Sequence, residues 1–196
     1  MKKIRWLVPY FNNMNSIYRE PAGKDILFFG AMNREENYLS AIWFIENVMK
    51  KLEDTDTRFI VLGNNPPDCL KKYESERVHI VGFVENVEPY FERSVCFVAP
   101  LVLGAGIKVK VIEALSTGIP VLTNDIGIEG IHAIDGKEYL HCSDPDEYAF
   151  AIRKLLSKEI NISELELNEK NLVKREYSME SSLHNYEIEL LSLRDA

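Results

Sequence analysis

A glycine-rich turn followed by two lysines and a glutamate has the residue types and spacing that suit the binding of a nucleotide. In chain order the residues are Gly104, Ala105, Gly106, Ile107, Lys108, Lys110 and Glu113. A helix that begins at this turn would present free backbone N–H groups and its positive end to an anion. Lysines in its first turn oppose the helix dipole at a cost of ~0.3–1 kcal/mol each, and a bound diphosphate would reverse that sign. These residues alone leave open the alternative that both lysines face solvent and balance nearby acids.

Glu113 lies at a distance from the turn that suits the ribose of a nucleotide. Because a helix rises ~1.5 Å per residue, Glu113 would lie about 9 Å along the axis from Ile107, close to the span from the outer phosphate to the ribose. A carboxylate at that point can accept hydrogen bonds from both ribose hydroxyls. The residues on either side of it are apolar. A charge between apolar neighbours also suits the exposed stripe of a helix, and this alternative stays open.

Alternating strand and helix patterns surround this segment. Short apolar runs predict buried parallel strands, because helices cover both faces of such a sheet. The runs are residues 26–29, 59–62, 78–81, 95–98 and 120–123, with a short sixth strand at 138–142. Helical periodicity is found at 37–52, 67–75, 87–93 and 107–117. In the first of these helices the apolar stripe comprises Leu39, Ile42, Ile45, Val48, Met49 and Leu52.

Local signals mark the ends of several helices. Gly118 is typical of the residue that ends a helix. Asp144 followed by a proline predicts a capped helix start, and the chain beyond it is predicted to be helical, with breaks near Asn161 and Ser178. Residues 161–163 match a glycosylation sequon, but without a secretion signal we interpret them as a helix start capped by Ser163.

This alternation predicts an α/β fold, a Rossmann-like parallel sheet with helices on both faces and a helical C-terminal tail. We divide the chain into an N-terminal segment or linker (1–25), a Rossmann-like domain (26–158) and C-terminal helices packed on it (159–196). Ligands of such sheets bind beyond the carboxyl ends of the strands. The loops there are 30–36, 63–67, 82–86, 100–106 and 124–130. In the last of them Asp125 and Glu129 are candidates for contacts to a sugar, with solvated loop charge as the alternative.

Composition limits the choice of function. The net charge of −8 argues against a general nucleic-acid surface, which would need to be basic. No apolar run approaches the ~18 residues that span a bilayer, and the start of the chain lacks the features of a signal peptide. Three cysteines without metal-type spacing suit a reducing compartment, and we expect Cys96 in the core. We therefore expect a cytoplasmic protein, with peripheral membrane association left open.

The segment GAGIKVKVIEALSTGIPV (104–121) resembles the donor-site signature of family 4 retaining glycosyltransferases of the GT-B fold. The resemblance covers residues 26–131 in order. It implies a hexosyltransferase that moves a sugar from a UDP- or GDP-sugar to a glycan or lipid-linked acceptor, without a metal or another cofactor. This chain would be the donor-binding half, and the acceptor-binding N-terminal half would be missing from it. Residues 8–13 resemble the hinge between the halves, and the last helix (about 178–194) resembles the one that crosses back.

The resemblance also implies roles for individual residues. Glu113 matches the glutamate that holds the ribose hydroxyls. Gly106 and the amides after it match the turn that cradles the diphosphate, with Lys108 and Lys110 beside it. The other implied donor contacts are Gly104, Ala105 and Ile107 of the same turn, Gly82, Phe83 and Val84 of a loop that lines the base, and Gly30 of the first loop.

Three positions depart from the family pattern. Many members have a sugar-contacting glutamate where this chain has Ala105, and an Arg and a Lys at the positions of Ala31 and Asn37. These departures favour a second interpretation, a nucleotide-binding or regulatory α/β module without transfer activity. A receiver domain is disfavoured, because the first strand does not end in clustered acids. Residues 54–56 spell a metal-binding D-x-D, but they lie between a helix and a strand, and we interpret them as a solvated turn.

Overall fold

The computed structural model describes residues 11, 14, 16, 17, 19 and 23–194. Its centre is a six-stranded sheet in which all neighbouring strands are parallel, in the order β3-β2-β1-β4-β5-β6. The strands are β1 (Asp25–Phe29), β2 (Arg58–Leu62), β3 (Val78–Gly82), β4 (Ser94–Ala99), β5 (Val121–Thr123) and β6 (Leu140–His141). The direction of winding reverses between β1 and β4, which opens a crevice between the loops that follow these two strands.

Helices connect the strands and form the C-terminal tail. They are α1 (Glu35–Asn47), a 3-10 turn (Met49–Leu52), α2 (Asp68–Lys71), α3 (Glu88–Arg93), α4 (Val109–Thr117), α5 (Asp125–Ile128), α6 (Pro145–Leu156), α7 (Ile162–Glu176) and α8 (Met179–Arg194). The predicted Rossmann-like α/β fold with a helical tail is confirmed. None of the helices in the described part of the chain is both long and apolar enough to cross a membrane.

Helix α4 begins two residues later than predicted. Lys108 is its N-cap, with an extended backbone at φ −95° and ψ 98°, and Val109 is the first helical residue. Because the ψ of Lys108 lies far from the helical value of about −42°, the helix can begin only after this residue. The expectation of two lysines in the first turn is therefore wrong, since only Lys110 lies there.

The buried face of α1 also differs from the predicted apolar stripe. Leu39 and Ile42 are only half-buried, whereas Ser40 and Ala41 are fully buried. Helix α1 packs closely on the loop after β4, where the Val102 N–H donates to Ser40 Oγ at 3.2 Å. Small residues permit this approach. The other predicted members of the stripe, Ile45, Val48, Met49 and Leu52, are buried as expected.

Two local predictions in the second half of the chain are corrected. The loop predicted at 124–130 contains the single-turn helix α5, which Asn124 caps by accepting from the Gly127 N–H at 3.1 Å. Helix α7 is capped by Asn161, which accepts from the Glu164 N–H at 3.3 Å. Ser163 lies inside that helix, because a cap must stand two or three residues before the N–H that it binds. The predicted capping by Asp144 is confirmed.

The described residues of the N-terminal segment pack on the domain. The buried Arg19 guanidinium donates to Gly118 O at 2.7 Å, and the Phe11 N–H donates to the carbonyl of Tyr177, just after α7, at 3.3 Å. These contacts tie the segment to the ends of α4 and α7. The hinge expected at residues 8–13 lies outside the described residues, apart from Phe11.

We expect Gly118→Ala to lower the free energy of unfolding by about 2–5 kcal/mol. Gly118 ends α4 in the left-handed region, at φ +73°, which costs a residue with a Cβ ~1–2 kcal/mol. A Cβ at this position would also lie 2.4 Å from Glu166 Cγ of α7, and such overpacking costs ~1–3 kcal/mol. Urea unfolding measures the change.

Gly136→Ala is the matched control for this measurement. Gly136 has nearly the same φ, +72°, but the position of its Cβ is open. The Gly136→Ala variant should therefore lose only the ~1–2 kcal/mol of unfolding free energy that the left-handed backbone conformation costs. Equal losses in the two variants would show that the close approach of Glu166 to position 118 adds no cost of its own.

Candidate functional site

A cavity of about 510 Å³ opens at the carboxyl edge of the sheet, where β1 and β4 end. Its walls are the loop after β1, the first turn of α1, the loop after β4 and the first turns of α4. Among the predicted residues, those that line it are Gly30, Gly104, Ala105, Ile107, Lys108, Lys110 and Glu113. A second cavity of about 660 Å³ lies near the start of β1 and β4 and contains none of the predicted residues. Because open parallel sheets bind ligands at their carboxyl edge, the first cavity is the candidate site.

Backbone amides dominate the turn that enters α4. Among the described residues, none accepts a hydrogen bond from the N–H groups of residues 103–110. Gly104 and Gly106 adopt positive φ values of +130° and +72°, which bend this turn and keep its backbone exposed. Unpaired N–H groups at the start of a helix, together with the helix dipole, favour an anion.

Glu113 faces the cavity from the second turn of α4. Its side chain is half-buried, and within the described part of the chain it makes neither a hydrogen bond nor an ion pair. Burial raises the pKa of this carboxyl above its ordinary value. A half-buried carboxylate without a protein partner carries a desolvation cost, which hydrogen bonds from the hydroxyls of a ligand would offset.

Lys110 reaches from α4 across to α1 and β1. Its ammonium donates to Asn37 Oδ1 of α1 and lies 4.8 Å from the centre of the Phe28 ring. Burial lowers the pKa of Lys110 to about 8, opposed by the nearby Glu36 carboxylate and reinforced by Lys108. A cation held in this way is only partly compensated, and an anion in the cavity would stabilise its charged form.

Lys108 is more closely engaged by the protein. Its ammonium contacts the Gly106 carbonyl and lies 3.4 Å from Glu129 Oε2, and its side chain is only 10% exposed. Lys108 therefore lines the cavity and balances an acid at the same time. The pair also holds the loop after β5 against the turn of residues 104–106.

The structure leaves six of the predicted residues outside the lining of this cavity. They are Gly82, Phe83, Val84, Gly106, Asp125 and Glu129. Glu129 borders it only through Lys108, whereas Asp125 is exposed and binds His141 Nε2 at 3.0 Å. Gly82 ends the edge strand β3, and the Phe83 ring after it is 73% exposed. An exposed ring at the ligand edge of a sheet can stack on a base.

Three polar residues that line the cavity were not among the predicted site residues, and one of them, Asn37, was noted only as a departure from the family pattern. Arg34 and Glu36 lie at the start of α1 and pair with each other at 2.7 Å. Asn37 is 5% exposed and binds Lys110. The available signal was the cluster of polar residues directly after a buried strand, which places them at the carboxyl edge of the sheet.

The remaining candidates for chemistry have structural partners. In the D-x-D segment, Asp54 pairs with Arg153 at 2.5 Å and Asp56 with Lys24 at 2.7 Å, at the edge opposite to the cavity. Within the described ranges, no three His, Cys, Asp or Glu side chains are grouped so that they could hold a metal ion. Cys96 is fully buried, and burial raises its pKa to about 12, which suits a core residue.

The strand order and the cavity define a class of protein. The sheet is all-parallel and reverses its winding at the cavity, as in a Rossmann-like α/β domain. The unpaired amides and the partly compensated lysine in that cavity suit an anionic ligand. Residues 23–158 match the model of the family described as glycosyl transferases group 1. The chain belongs to this family, and the predicted relation to GT-B glycosyltransferases is confirmed.

Individual relatives agree with this assignment. The chain is 25% identical over 150 residues to an uncharacterized 44.6 kDa protein in the cps region of Klebsiella pneumoniae, a match that covers 71% of this chain and 38% of that protein. The C-terminal domain of LpcC, a glycosyl transferase group 1 family protein from Francisella tularensis, superposes with a TM-score of 0.67 at 16% identity, over 84% of this chain and 98% of that one. The pneumococcal O-GlcNAc transferase GtfA, in complex with UDP and GlcNAc, superposes with a TM-score of 0.69 at 13% identity. This match covers 97% of this chain and 39% of the GtfA chain.

These matches fix the fold and the extent of the similarity. At such low identities the two solved structures establish the fold alone. The chain spans 38% of the length of the curated relative and 39% of the GtfA chain, but nearly all of the isolated LpcC domain. The similarity is therefore to one part of longer proteins.

Proposed function

We propose that this chain is the donor-binding half of a GT-B glycosyltransferase and that its cavity takes a UDP- or GDP-sugar. The observation that carries the proposal is the placement of Glu113. Its carboxylate lacks a protein partner among the described residues and faces the same cavity as the unpaired amides of residues 103–110 and the ammonium of Lys110. A single ligand with an anionic group and two hydroxyl donors would pair with the carboxylate, the amides and the ammonium together.

Each part of the donor has a matching surface. The diphosphate lies on the amides of the 104–107 turn, with Lys108 and Lys110 supplying positive charge. Glu113 accepts from the ribose hydroxyls. The base extends towards residues 82–84, where the exposed Phe83 ring offers a stacking surface. The sugar lies towards Gly30 and the loop of Asp125 and Glu129, and Ala105 leaves it without the glutamate that many family members place there.

The chemistry of this half is electrostatic. As the bond between the sugar and the diphosphate breaks, negative charge grows on the leaving phosphate oxygen. Fixed amide dipoles and the ammonium of Lys110 stabilise that charge without a metal ion. The acceptor hydroxyl would be held by a separate acceptor-binding half, so turnover requires both. Resemblance to the family supports retention of anomeric configuration, a glycan or lipid-linked acceptor and a cytoplasmic location.

The competing function is a nucleotide-binding module without transfer activity. Ala31, Ala105 and Asn37 favour it, because they replace residues that contact the donor in many family members. Both functions require the same nucleotide site, and they differ in whether the sugar is transferred once the donor is bound.

Calorimetry tests the proposal directly. We expect this chain to bind UDP or GDP, and to bind the matching nucleotide sugar, with UMP or GMP far weaker because they lack the second phosphate. Hydrolysis or transfer of the sugar should appear only when an acceptor-binding GT-B half is added. If UDP, GDP, UDP-sugars and GDP-sugars all fail to bind, the proposed donor site is wrong. If the donor binds but the reconstituted enzyme does not transfer the sugar, the regulatory module is favoured.

A further inference from the structure

Asn37 holds both ends of its side-chain amide in fixed contacts at the wall of the cavity. Its Nδ2 donates to Ala31 O, in the loop after β1, at 2.8 Å. Its Oδ1 accepts from the ammonium of Lys110, which is 73 residues further along the chain. With 5% exposure, the amide has little freedom to turn, and the contact with Ala31 fixes which atom faces the lysine.

Gly30 shows that this placement constrains the surrounding chain. A Cβ at Gly30 would lie 2.9–3.2 Å from the amide atoms of Asn37. The side chain of Asn37 therefore occupies the space beside β1 that a larger residue at position 30 would need. The loop after β1, α1 and α4 meet at this one amide.

The type of residue is as informative as its position. The ammonium of Lys110 is half-buried and needs an acceptor, because an unpaired buried charge is costly. A carboxylate would satisfy it but would also cancel its charge. The amide oxygen of Asn37 is a neutral acceptor, so it fixes the ammonium in place and leaves its charge available to a ligand.

We propose that Asn37 is a positioning residue that aims the ammonium of Lys110 at the phosphate of the bound donor without neutralising it. The inference rests on the proposed function for the identity of the ligand. Its geometric part concerns only Asn37 and Lys110 and holds in the protein without ligand. The other charged groups that face Lys110 are Glu36 and Arg34 near the start of α1 and Lys108 on α4, and all of them are kept when Asn37 is substituted.

The test measures the titration of Lys110 in the free chain by NMR of its Cε and Hε signals, identified by their loss in Lys110→Met. In the wild type the pKa should be about 8. Asn37→Asp should raise it, because a carboxylate stabilises the ammonium. Asn37→Leu should lower it, because the ammonium loses its acceptor. Asn47→Asp and Asn47→Leu, at the other end of α1, control for substitution in the same helix and should leave the titration unchanged.

Titration with UDP gives the second measurement on the same variants. Asn37→Asp should bind UDP at least about tenfold more weakly than the wild type at pH 7, because its carboxylate neutralises the lysine that the diphosphate would meet. Asn37→Leu should also bind more weakly, whereas the Asn47 variants should not. Thermal melting confirms that each variant is folded, and Asn37→Ala, which also lacks a side-chain acceptor, takes the place of Asn37→Leu if the latter is not folded.

The two measurements separate the inference from the function on which it rests. A titration of Lys110 that is identical in the wild type, Asn37→Asp and Asn37→Leu overturns the positioning role, even if UDP binds. A titration that moves as expected in a chain that binds neither UDP nor GDP supports the positioning role and overturns the proposed donor. If Asn37 had only a structural role, its substitution would change the melting temperature and leave the pKa of Lys110 unchanged.

Discussion

Glu113→Ala is expected to weaken the binding of UDP about 30- to 100-fold. In the proposed site the carboxylate accepts hydrogen bonds from both ribose hydroxyls, and hydrogen bonds to a charged group contribute ~1.5–3 kcal/mol each. A net loss of ~2–2.7 kcal/mol corresponds to this change in Kd. Calorimetry at pH 7 measures it. Glu88→Ala, which removes an exposed carboxylate at the start of α3, is the control and should bind UDP as the wild type does.

The ligand itself provides a sharper control. If Glu113 acts on the ribose, its removal should have little effect on the affinity for 2′,3′-dideoxy-UDP, because that ligand lacks both hydroxyls. An equal loss for UDP and for the dideoxy ligand would mean that Glu113 acts elsewhere, through the fold or on the phosphates. The difference between the two losses is the coupling free energy between this carboxylate and the ribose.

The stability of a Glu113 variant separates a lost contact from a lost fold. Burial raises the pKa of Glu113 in the folded chain, so the folded state binds this proton more tightly than the unfolded state. The associated stability is present at low pH and is lost as the pH rises through the folded pKa. At pH 7 the ionised carboxylate is therefore unfavourable, and Glu113→Gln should melt no lower than the wild type while it binds UDP more weakly.

The affinity for UDP is expected to fall as the pH rises above about 8, and Lys110 is the cause. Burial holds the pKa of this lysine at about 8 in the free chain, and a bound diphosphate favours the protonated form. Above that pH a proton must be taken up on binding, so the affinity falls by up to about tenfold per pH unit. Calorimetry from pH 6.5 to 9.5 measures this dependence, and the phosphates of UDP are already ionised over most of that range.

Lys110→Met is expected to weaken the binding of UDP and to abolish the pH dependence of that binding. We expect UDP to bind about 10- to 150-fold more weakly at pH 7, since charge-assisted contacts contribute ~1.5–3 kcal/mol, and we expect its affinity to change little between pH 7.5 and 9.5. Lys50→Met, in the 3-10 turn at the opposite edge of the sheet, changes the net charge equally and should keep the wild-type profile. A wild-type slope that persists in Lys110→Met would assign the titration to another group.

The architecture could be predicted because its signals are local. Each strand is a short apolar run, each of the main helices has its own periodicity or cap, and all six strands were found within a few residues of their bounds. The end of α4 at Gly118 and the start of α6 at Asp144 were predicted because the capping contacts involve neighbours in the chain. The start of α4 was missed by two residues, because the extended backbone of Lys108 leaves no signal in the pattern of residues.

The site could be predicted only in part, for a related reason. Turn, lysines and glutamate lie within ten residues of each other, and their spacing along a helix indicated a phosphate and a ribose. Asn37 appeared only as a departure from a family pattern, because its partner is 73 residues away. The pairing of Lys108 with Glu129 and the separation of Asp125 from the cavity were not visible in any local pattern.

The chain's own order of residues thus settles which strands and helices form and where several of them end, and it predicts at which edge of the sheet a ligand site would lie. It does so because backbone propensity, capping and apolar periodicity act over a few residues. Which polar groups share a cavity was settled only by tertiary packing. Winding the sheet in the order β3-β2-β1-β4-β5-β6 brings the ends of β1 and β4 together, and that contact places Asn37 against Lys110 and leaves Glu113 facing the space between them.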